Sequence, residues 1–401
     1  MRMVDRYDVV VAGGGPAGLI AAKTAAAQGG KVLLLELQAQ IGGQIQSANW
    51  APSELLTPNL KDAVVSDVKE VRFHSSRHRL IARGNFGSII DRGVFDKLLA
   101  NEAIAGGAEI IVGCPVKELL IGGEAVRGVR IEAGGWREDI ECEVVIDATG
   151  ARGEWSGLML KKAMGMDWNA EKLIVSNEYL MANAEDDQAV DIFFNSYFSP
   201  QGNAWIYPLG RSLALAGIRG VRIHPDIALD EFMGRMKIPR LEKASPIAAY
   251  RAQLPFRSDL VTYGNGIIAV GSSAGQVYPL SGHGLKYAME CGEIAGRVAV
   301  DAITEGDVTK KGLEEYERRW RSKFGVELKI GQLLCEGLKI SPDKKINLLF
   351  DLADELKLQD AIVKIFTGAE LKPSISKLFE HAGVRKIFGR EIYEKIIAMC
   401  E

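Results

Sequence analysis

The tightest constraint on the fold lies near the N-terminus, in the segment YDVVVAGGGPAG, Tyr7 to Gly18. A run of β-formers ends on Gly13, Gly15 and Gly18 at GxGxxG spacing. An alanine-rich helix follows, with Pro16 tolerated in its first turn, and KVLLLE (Lys31 to Glu36) reads as a second buried strand. Strand, glycine turn, helix and strand within about thirty residues form the βαβ unit of a doubly wound sheet. The three glycines act in different ways. Gly13 makes the tight turn, Gly15, with Ala17 in the same turn, lets backbone approach a pyrophosphate, and Gly18 lets helix and strand pack closely. The phosphates then rest on the free N–H groups of the helix start. Glu36 ends the second strand about 20 residues after the glycines, where a carboxylate accepts from a ribose 2′-OH and disfavours a 2′-phosphate.

Two later segments separate FAD from NAD as the dinucleotide. Gly42-Gly43 follows the second strand, a common place for backbone to pass beside a flavin nucleotide. Downstream, VVIDATG, ending at Gly150, and GIIAVGSSAG, containing Gly271 and Ser272, resemble the two distant motifs of the glutathione-reductase-like FAD fold. An NAD dehydrogenase has no use for such remote glycine segments.

Composition bears mainly on exclusions. A net charge of −3 lacks the basic surplus of a nucleic-acid-binding surface. The five cysteines show no short spacing, so neither a metal site nor a disulfide framework is expected, and a cytoplasmic setting is the simple reading. The N-terminal apolar run is too short and glycine-interrupted for a signal peptide. Leu260 to Leu285 contains no Asp, Glu, Lys or Arg, but its glycines and Pro279 make it a buried strand and loop rather than a membrane span. From about residue 170, short alternating runs (IVSNEYLMA, VDIFFNSYF, AWIYPL, LALAGIRG) predict an antiparallel sheet. Beyond about residue 311 the chain reads as helices.

Across Tyr7 to about Leu328 the sequence resembles the FAD-dependent geranylgeranyl reductase family, a branch of the hydroxybenzoate-hydroxylase-like flavoproteins. In DRGVFDKLLANEAIAGGAEI the resemblance implies that Arg92 approaches the flavin nucleotide and that Val116 gives a backbone contact to the adenine. GNAWIYPLGRSLALAGI resembles the family's YxWxFP motif with its trailing glycine: Trp205, Tyr207, Pro208 and Gly217 match, while Asn203 replaces the first aromatic. These residues would wall an apolar substrate slot, and a core strand of the antiparallel sheet explains the same pattern equally. GSSAGQVYPLSGHGLKYAMECGEIAG carries the family's glycine turn. By that match Gly271, Ser272, Gly282, Gly284 and Leu285 lie at the flavin, where a helix start stabilises negative charge on its pyrimidine edge. YERRWRSKFGVELK resembles the family's C-terminal helix. Ser47 stands where the family often has cysteine, Ser272 where it has aspartate, and His283 where it has glycine.

The resemblance implies an α/β chain: a Rossmann-like FAD-binding domain (1–60, 84–155 and 262–310), an inserted antiparallel-sheet substrate domain (156–261) and a C-terminal helical region (311–401). It implies a reductase that saturates C=C bonds of an isoprenoid chain on a lipid or quinone-like substrate, with NAD(P)H or ferredoxin as electron donor. His283 is the candidate proton donor on the motif register, although a structural histidine is the more ordinary reading. A monooxygenase or halogenase of the same fold, or a flavin electron-transfer protein, are the alternatives. The C-terminal helices could rest on a membrane surface as a peripheral contact or pack as a cap on the core.

Overall fold

The protein was analysed as a computed structural model, which describes residues 6–43, 49–133, 135–151, 173–255 and 260–400; Ser47 lies outside them. Strand Arg6–Ala12 occupies the middle of an eight-stranded sheet. It pairs in parallel with Val32–Leu35 on one side and with Trp136–Asp147 on the other. Ile267–Ala269 and Glu109–Ile111 extend the parallel array outward. The strands are apolar throughout because both faces are covered. Val9, Val11, Leu34 and Ile146 pack beneath helices, whereas Val10, Leu33 and Val145 pack beneath the antiparallel excursion Val116–Gly122 and Ala125–Ala133.

Helix Pro16–Ala27 is rich in alanine because a second helix, Leu285–Glu305, lies almost against its backbone. A Cβ on Gly296 would stand 2.6 Å from the Ala21 carbonyl oxygen, and one on Gly292 would overlap that of Ala17. This small-residue contact brings the start of the late helix to the early glycine turn.

A seven-stranded sheet runs in the order Ser245–Pro255, Leu173–Ala182, Leu213–Val221, Asn203–Gly210, Val190–Phe193, Glu70–His74 and Arg79–Arg83. Its pairs are antiparallel, as the alternating segments predict, except that Val190–Phe193 joins Glu70–His74 in parallel. Polar contacts fasten that junction: the buried Asp191 meets His74 Nε2 at 2.6 Å and Arg240 at 2.5 Å, and the half-buried Arg72 pairs with Asp187. The predicted strand VDIFFNSYF stops at Phe193, because Asn195 folds back to accept the Tyr197 N–H and the chain turns. Pro208 sits beside a register shift, the kind of place where a strand tolerates a missing N–H.

A three-stranded sheet (Trp50–Ala51, Val64–Asp67, Ser88–Ile90) bridges the two larger ones. The chain ends in helices from Lys310–Trp320 to Arg390–Cys400, with one turn of π-helix at Arg321–Gly325. They share a core with the sheets through Phe73, Phe194, Phe350 and Phe366, whose rings lie 5.4–6.3 Å apart. Among the described residues no helix is long and apolar enough to cross a membrane.

Candidate functional site

The glycine turn has the conformation its spacing predicts. Gly13 has φ +111°, and a Cβ there would overlap the Ala148 carbonyl. A Cβ on Gly18 would overlap the Gly13 carbonyl, whereas one on Gly15 meets nothing within 4 Å, because Gly15 faces open space. Gly15 is also the N-cap of Pro16–Ala27 and caps it with no side chain, so the first amides of the helix remain available to an anion. Glu36 holds the turn from the side: the Gly14 N–H donates to Oε2 (2.6 Å) and the Gln38 N–H to Oε1 (2.7 Å).

Around this turn lies a cleft of about 1120 Å³. Its walls bring together Gly13, Gly15, Ala17, Glu36 and Gly43 with the more distant Arg92, Val116, Gly150, Gly271 and Ser272. Local contacts explain the convergence. A Cβ on Gly42 would stand 2.9 Å from the Gly93 carbonyl oxygen, so the loop after the second strand presses on the start of helix Arg92–Ala105. The Asp91 side chain caps that helix through the Val94 N–H. Arg92 is buried and held on Asp96 by two hydrogen bonds of 3.0 Å; burial pushes the Asp96 carboxyl up, against the pull of the guanidinium.

The third segment is tied to the second by Ser273, whose Oγ donates to the carbonyls of Asp147 and Val270. Its turn is fixed by a buried chain in which the Gly271 N–H donates to Gln276 Oε1, Gln276 Nε2 to Tyr316 OH, and Tyr316 OH to the Ala269 carbonyl. Sequence reasoning missed Ser273, Gln276 and Tyr316, although the first two stand within the GSSAGQ motif and the third opens the YERRW segment.

A second cavity, of about 870 Å³, begins on the other side of helix Leu285–Glu305. Ala288 faces the first cleft, and Leu285, Lys286 and Tyr287 face the second. Trp50, Phe86 and the segment Lys364 to Glu370 complete its lining. Gly282 (φ +79°) and the exchange of hydrogen bonds between Tyr278 and the Gly282–His283 turn set the approach to Gly284, the N-cap of the helix. His283 opens on this cavity. Its Nδ1 lies 2.7 Å from Ser281 Oγ, and its ring meets Trp50 and Phe366 edge-on. Burial, then the positive charge of Arg219, pulls the imidazole down to about 3, so the ring is neutral at physiological pH.

Trp205, Tyr207 and Pro208 stand one layer behind. The Tyr207 ring meets Trp50 edge-on at 6.2 Å, and Trp205 is tilted against Tyr207. Trp205 Nε1 donates to Glu178 (2.9 Å), and its ring crosses Gly217 so closely that any Cβ there would overlap it. This contact is the physical reason for the glycine in the motif. Asn203, in place of an aromatic, accepts from Arg219 Nε (2.8 Å). Among the described residues no group of three metal-ligating side chains forms.

A family model described as FAD dependent oxidoreductase matches residues 8–188. The digeranylgeranylglycerophospholipid reductase of Methanocaldococcus jannaschii is 32% identical over 393 residues, covering 94% of this chain and 98% of that protein. The chain belongs to the geranylgeranyl reductase family. As a member of that family it is an FAD-dependent oxidoreductase, and the cleft around Gly13 has the glycine cradle and uncapped helix start that the dinucleotide needs. The crystal structure of a geranylgeranyl bacteriochlorophyll reductase-like protein from Thermoplasma acidophilum superposes with a TM-score of 0.83 at 24% identity, covering 98% of this chain and 99% of that one. A flavin-dependent brominase superposes with a TM-score of 0.71 at 18% identity, covering 90% and 94%. These likenesses establish the fold that this geranylgeranyl reductase family member shares with halogenases.

Proposed function

We propose that the protein saturates C=C bonds in the isoprenoid chains of a lipid. The observation that carries this reading is that one helix, Leu285–Glu305, stands between a dinucleotide cleft, which Ala288 lines, and a second, aromatic-walled cavity, which Leu285 and Tyr287 line. The relatives' names, digeranylgeranylglycerophospholipid reductases, supply the substrate class.

The residues divide the work. The helix start at Gly15–Ala17, with Gly13 and Gly18 clearing its approach, would hold the pyrophosphate, and Glu36 the adenosine ribose. Val116, Gly150, Gly43 and Arg92 would flank the nucleotide, and Gly271, Ser272 and Gly282 the flavin side. The amides at Gly284 and Leu285 would face the pyrimidine edge, where the helix dipole favours negative charge. FAD, when bound and reduced, supplies the hydride. Trp50 would position the prenyl chain, with Tyr207, Trp205 and Pro208 packed behind it to keep water out, which matters because an isolated alkene is a poor hydride acceptor. On this reading residues 1–60, 84–155 and 262–310 serve the cofactor, 156–261 the substrate, and 311–401 cap the cavity. A nicotinamide or ferredoxin would recharge the flavin; anaerobic bleaching by each donor in turn distinguishes them.

The test is anaerobic incubation of the reduced, FAD-loaded protein with a geranylgeranyl phospholipid. The expected product is heavier by two hydrogens for each bond reduced. Product that forms only when oxygen is admitted overturns this reading in favour of an oxygenase or halogenase.

A peripheral membrane contact fits the helical region. Ile340 is 75% exposed between Lys339 and the left-handed Ser341, and Leu348 is exposed on the next helix. Flotation with anionic liposomes is expected to weaken in Ile340→Glu, and unchanged flotation refutes the contact.

A further inference from the structure

The second cavity changes character between its rim and its inner end. At the rim Ser53, Glu54, Asn85 and Glu370 are exposed, and Lys286 and Lys364 are half-buried. Lys364 is already paired with Asp360 and Glu370, and Lys286 lies 3.8 Å from Glu327. Trp50, Leu285, Tyr287 and Gly368 are buried and give the inner end an apolar surface. The polar tips of these buried residues are spent within the protein. The Trp50 indole N–H donates to the Phe86 carbonyl at 2.6 Å, and the Tyr287 hydroxyl donates to Glu327 at 3.1 Å.

His283 is the exception. Its Nδ1 lies 2.7 Å from Ser281 Oγ, and the same oxygen accepts from the His283 main-chain N–H at 3.3 Å. Ser281 has no other acceptor for its hydroxyl hydrogen among the described residues. The hydroxyl therefore donates to Nδ1, and the ring proton sits on Nε2. Burial and the neighbouring Arg219 keep the ring uncharged, so this is its one N–H. Nε2 has no hydrogen-bond partner among the described residues, yet the half-buried ring lines the cavity. Trp50 and Phe366 stand nearly perpendicular to the ring, at 88° and 87°, and fix its plane. A donor held still beside an apolar surface, with its hydrogen bond unmade, can select a ligand by a single polar atom. An uncharged N–H suits an uncharged oxygen, whereas a charged headgroup is better served at the rim, where water and Lys286 are at hand.

We propose that His283 Nε2–H selects the substrate by donating to a neutral acceptor oxygen, an ether, ester or ring carbonyl at the head of the prenyl chain. The proposal rests on the reductase reading above and narrows its substrate to a prenyl chain whose head carries such an oxygen. His283 is a specificity-determining donor in this scheme and gives up no proton. Glycine, which the family motif has at this position, offers no such group.

The test compares FAD-loaded wild type, His283→Leu and His283→Gln on three probes in one detergent. The probes are a geranylgeranyl ether phospholipid, a geranylgeranyl quinone, and a tetraprenyl hydrocarbon with a methyl group in place of the head. Wild type is expected to favour at least one oxygen-bearing probe over the hydrocarbon by roughly tenfold or more in kcat/KM. In His283→Leu that ratio should fall to near one, through KM. His283→Gln, whose amide N–H can reach the same oxygen, should keep part of it. A ratio lost on the phospholipid alone assigns the oxygen to the glycerol ether, and one lost on the quinone alone assigns it to the ring carbonyl. An independent readout is nitrogen-15 NMR of histidine-labelled wild type, with the His283 signals assigned by their absence from His283→Gln. Nε2 should be protonated and Nδ1 not, and Nε2 should shift on adding a saturated oxygen-bearing probe but not the saturated hydrocarbon. An unchanged ratio in His283→Leu, equal losses on all three probes (as a merely structural ring would give), or a proton on Nδ1 overturns the proposal. Should His283→Leu fail to fold, the wild-type ratio and the nitrogen-15 shifts decide it. Wild type that bleaches with a donor yet reduces none of the probes overturns the reductase reading, and the nitrogen-15 shifts then decide His283 by themselves.

Discussion

The two cavities on either side of helix Leu285–Glu305 are made of different material. The dinucleotide cleft is mostly backbone: the Gly13–Ala17 turn, the Ala148–Gly150 strand end, and the Val270–Ser272 turn. Its side chains serve mainly to brace that backbone, as Glu36 does for Gly14 and Gln276 for Gly271. The second cavity and the wall behind it are side chains, contributed by Trp50, Tyr207, Trp205, His283 and Glu178 from strands and turns far apart in the sequence. A phosphate needs aligned amides, which any sequence with glycines at the right places can offer. A prenyl chain needs shape and dryness, which only packed side chains can offer. Substitutions should therefore separate holding the flavin from using it.

The largest effect is expected from Gly13→Ala. The left-handed φ and the overlap with the Ala148 carbonyl cost about 3 kcal/mol or more in fitting the turn, enough for roughly a hundredfold loss of flavin affinity. The purified variant should be colourless with an unchanged far-ultraviolet circular dichroism spectrum. A yellow Gly13→Ala protein would break the comparison at its strongest point.

Gly217→Ala addresses the other side. Its methyl group must displace the Trp205 ring and crowd Glu178, an overpacking of about 1–3 kcal/mol. Flavin content should hold while prenyl reduction falls by roughly tenfold or more. Equal loss of flavin and rate would show that the wall and the cleft are one unit. A smaller effect, confined to the cleft, is expected from Glu36→Ala. It leaves the Gly14 and Gln38 N–H groups without their carboxylate, worth about 1–2 kcal/mol and so about tenfold in the dissociation constant for FAD, measured by flavin fluorescence.

The same contrast explains which parts were legible in the sequence. Gly13 and Gly18 are forced by a positive φ or a missing Cβ, so residue type alone reports the geometry. Glu36 follows from its distance along the chain. Gly217 was visible as part of a pattern, but its reason, the indole lying across it, depends on strand Asn203–Gly210 pairing with Leu213–Val221 in one register. Glu178 gave no signal at all: it meets Trp205 only across an intervening strand, and an alternating segment such as IVSNEYLMA does not say which face is buried. The parallel junction of Glu70–His74 with Val190–Phe193 was equally hidden, because the polar contacts of Asp191 that fasten it draw on three remote segments. The C-terminal helices were legible as amphipathic elements, while their docking onto Phe73 was not.

The gentlest way to sharpen the comparison is to titrate stability rather than activity. Glu178 has a folded value of about 8, above its ordinary value of 4.5, so its favourable contribution is complete below about pH 4.5 and is lost as pH rises through 8. His283 has a folded value of about 3, below its ordinary 6.5, so its contribution is complete above about pH 6.5 and is lost as pH falls towards 3. The wall of the second cavity is thus penalised in both directions. Glu178→Gln should therefore gain Tm relative to wild type as pH is raised from about 5 to 9, and His283→Gln should gain it as pH is lowered from about 6.5 to 4, by roughly 2–4 °C for each kcal/mol relieved. Asp147, raised to about 6 by burial, weakens wild type and variants alike and so cancels from both differences. Gaps that stay constant across these ranges would mean that neither group is held away from its ordinary protonation, and the contrast between a backbone cleft and a side-chain wall would lose its electrostatic half.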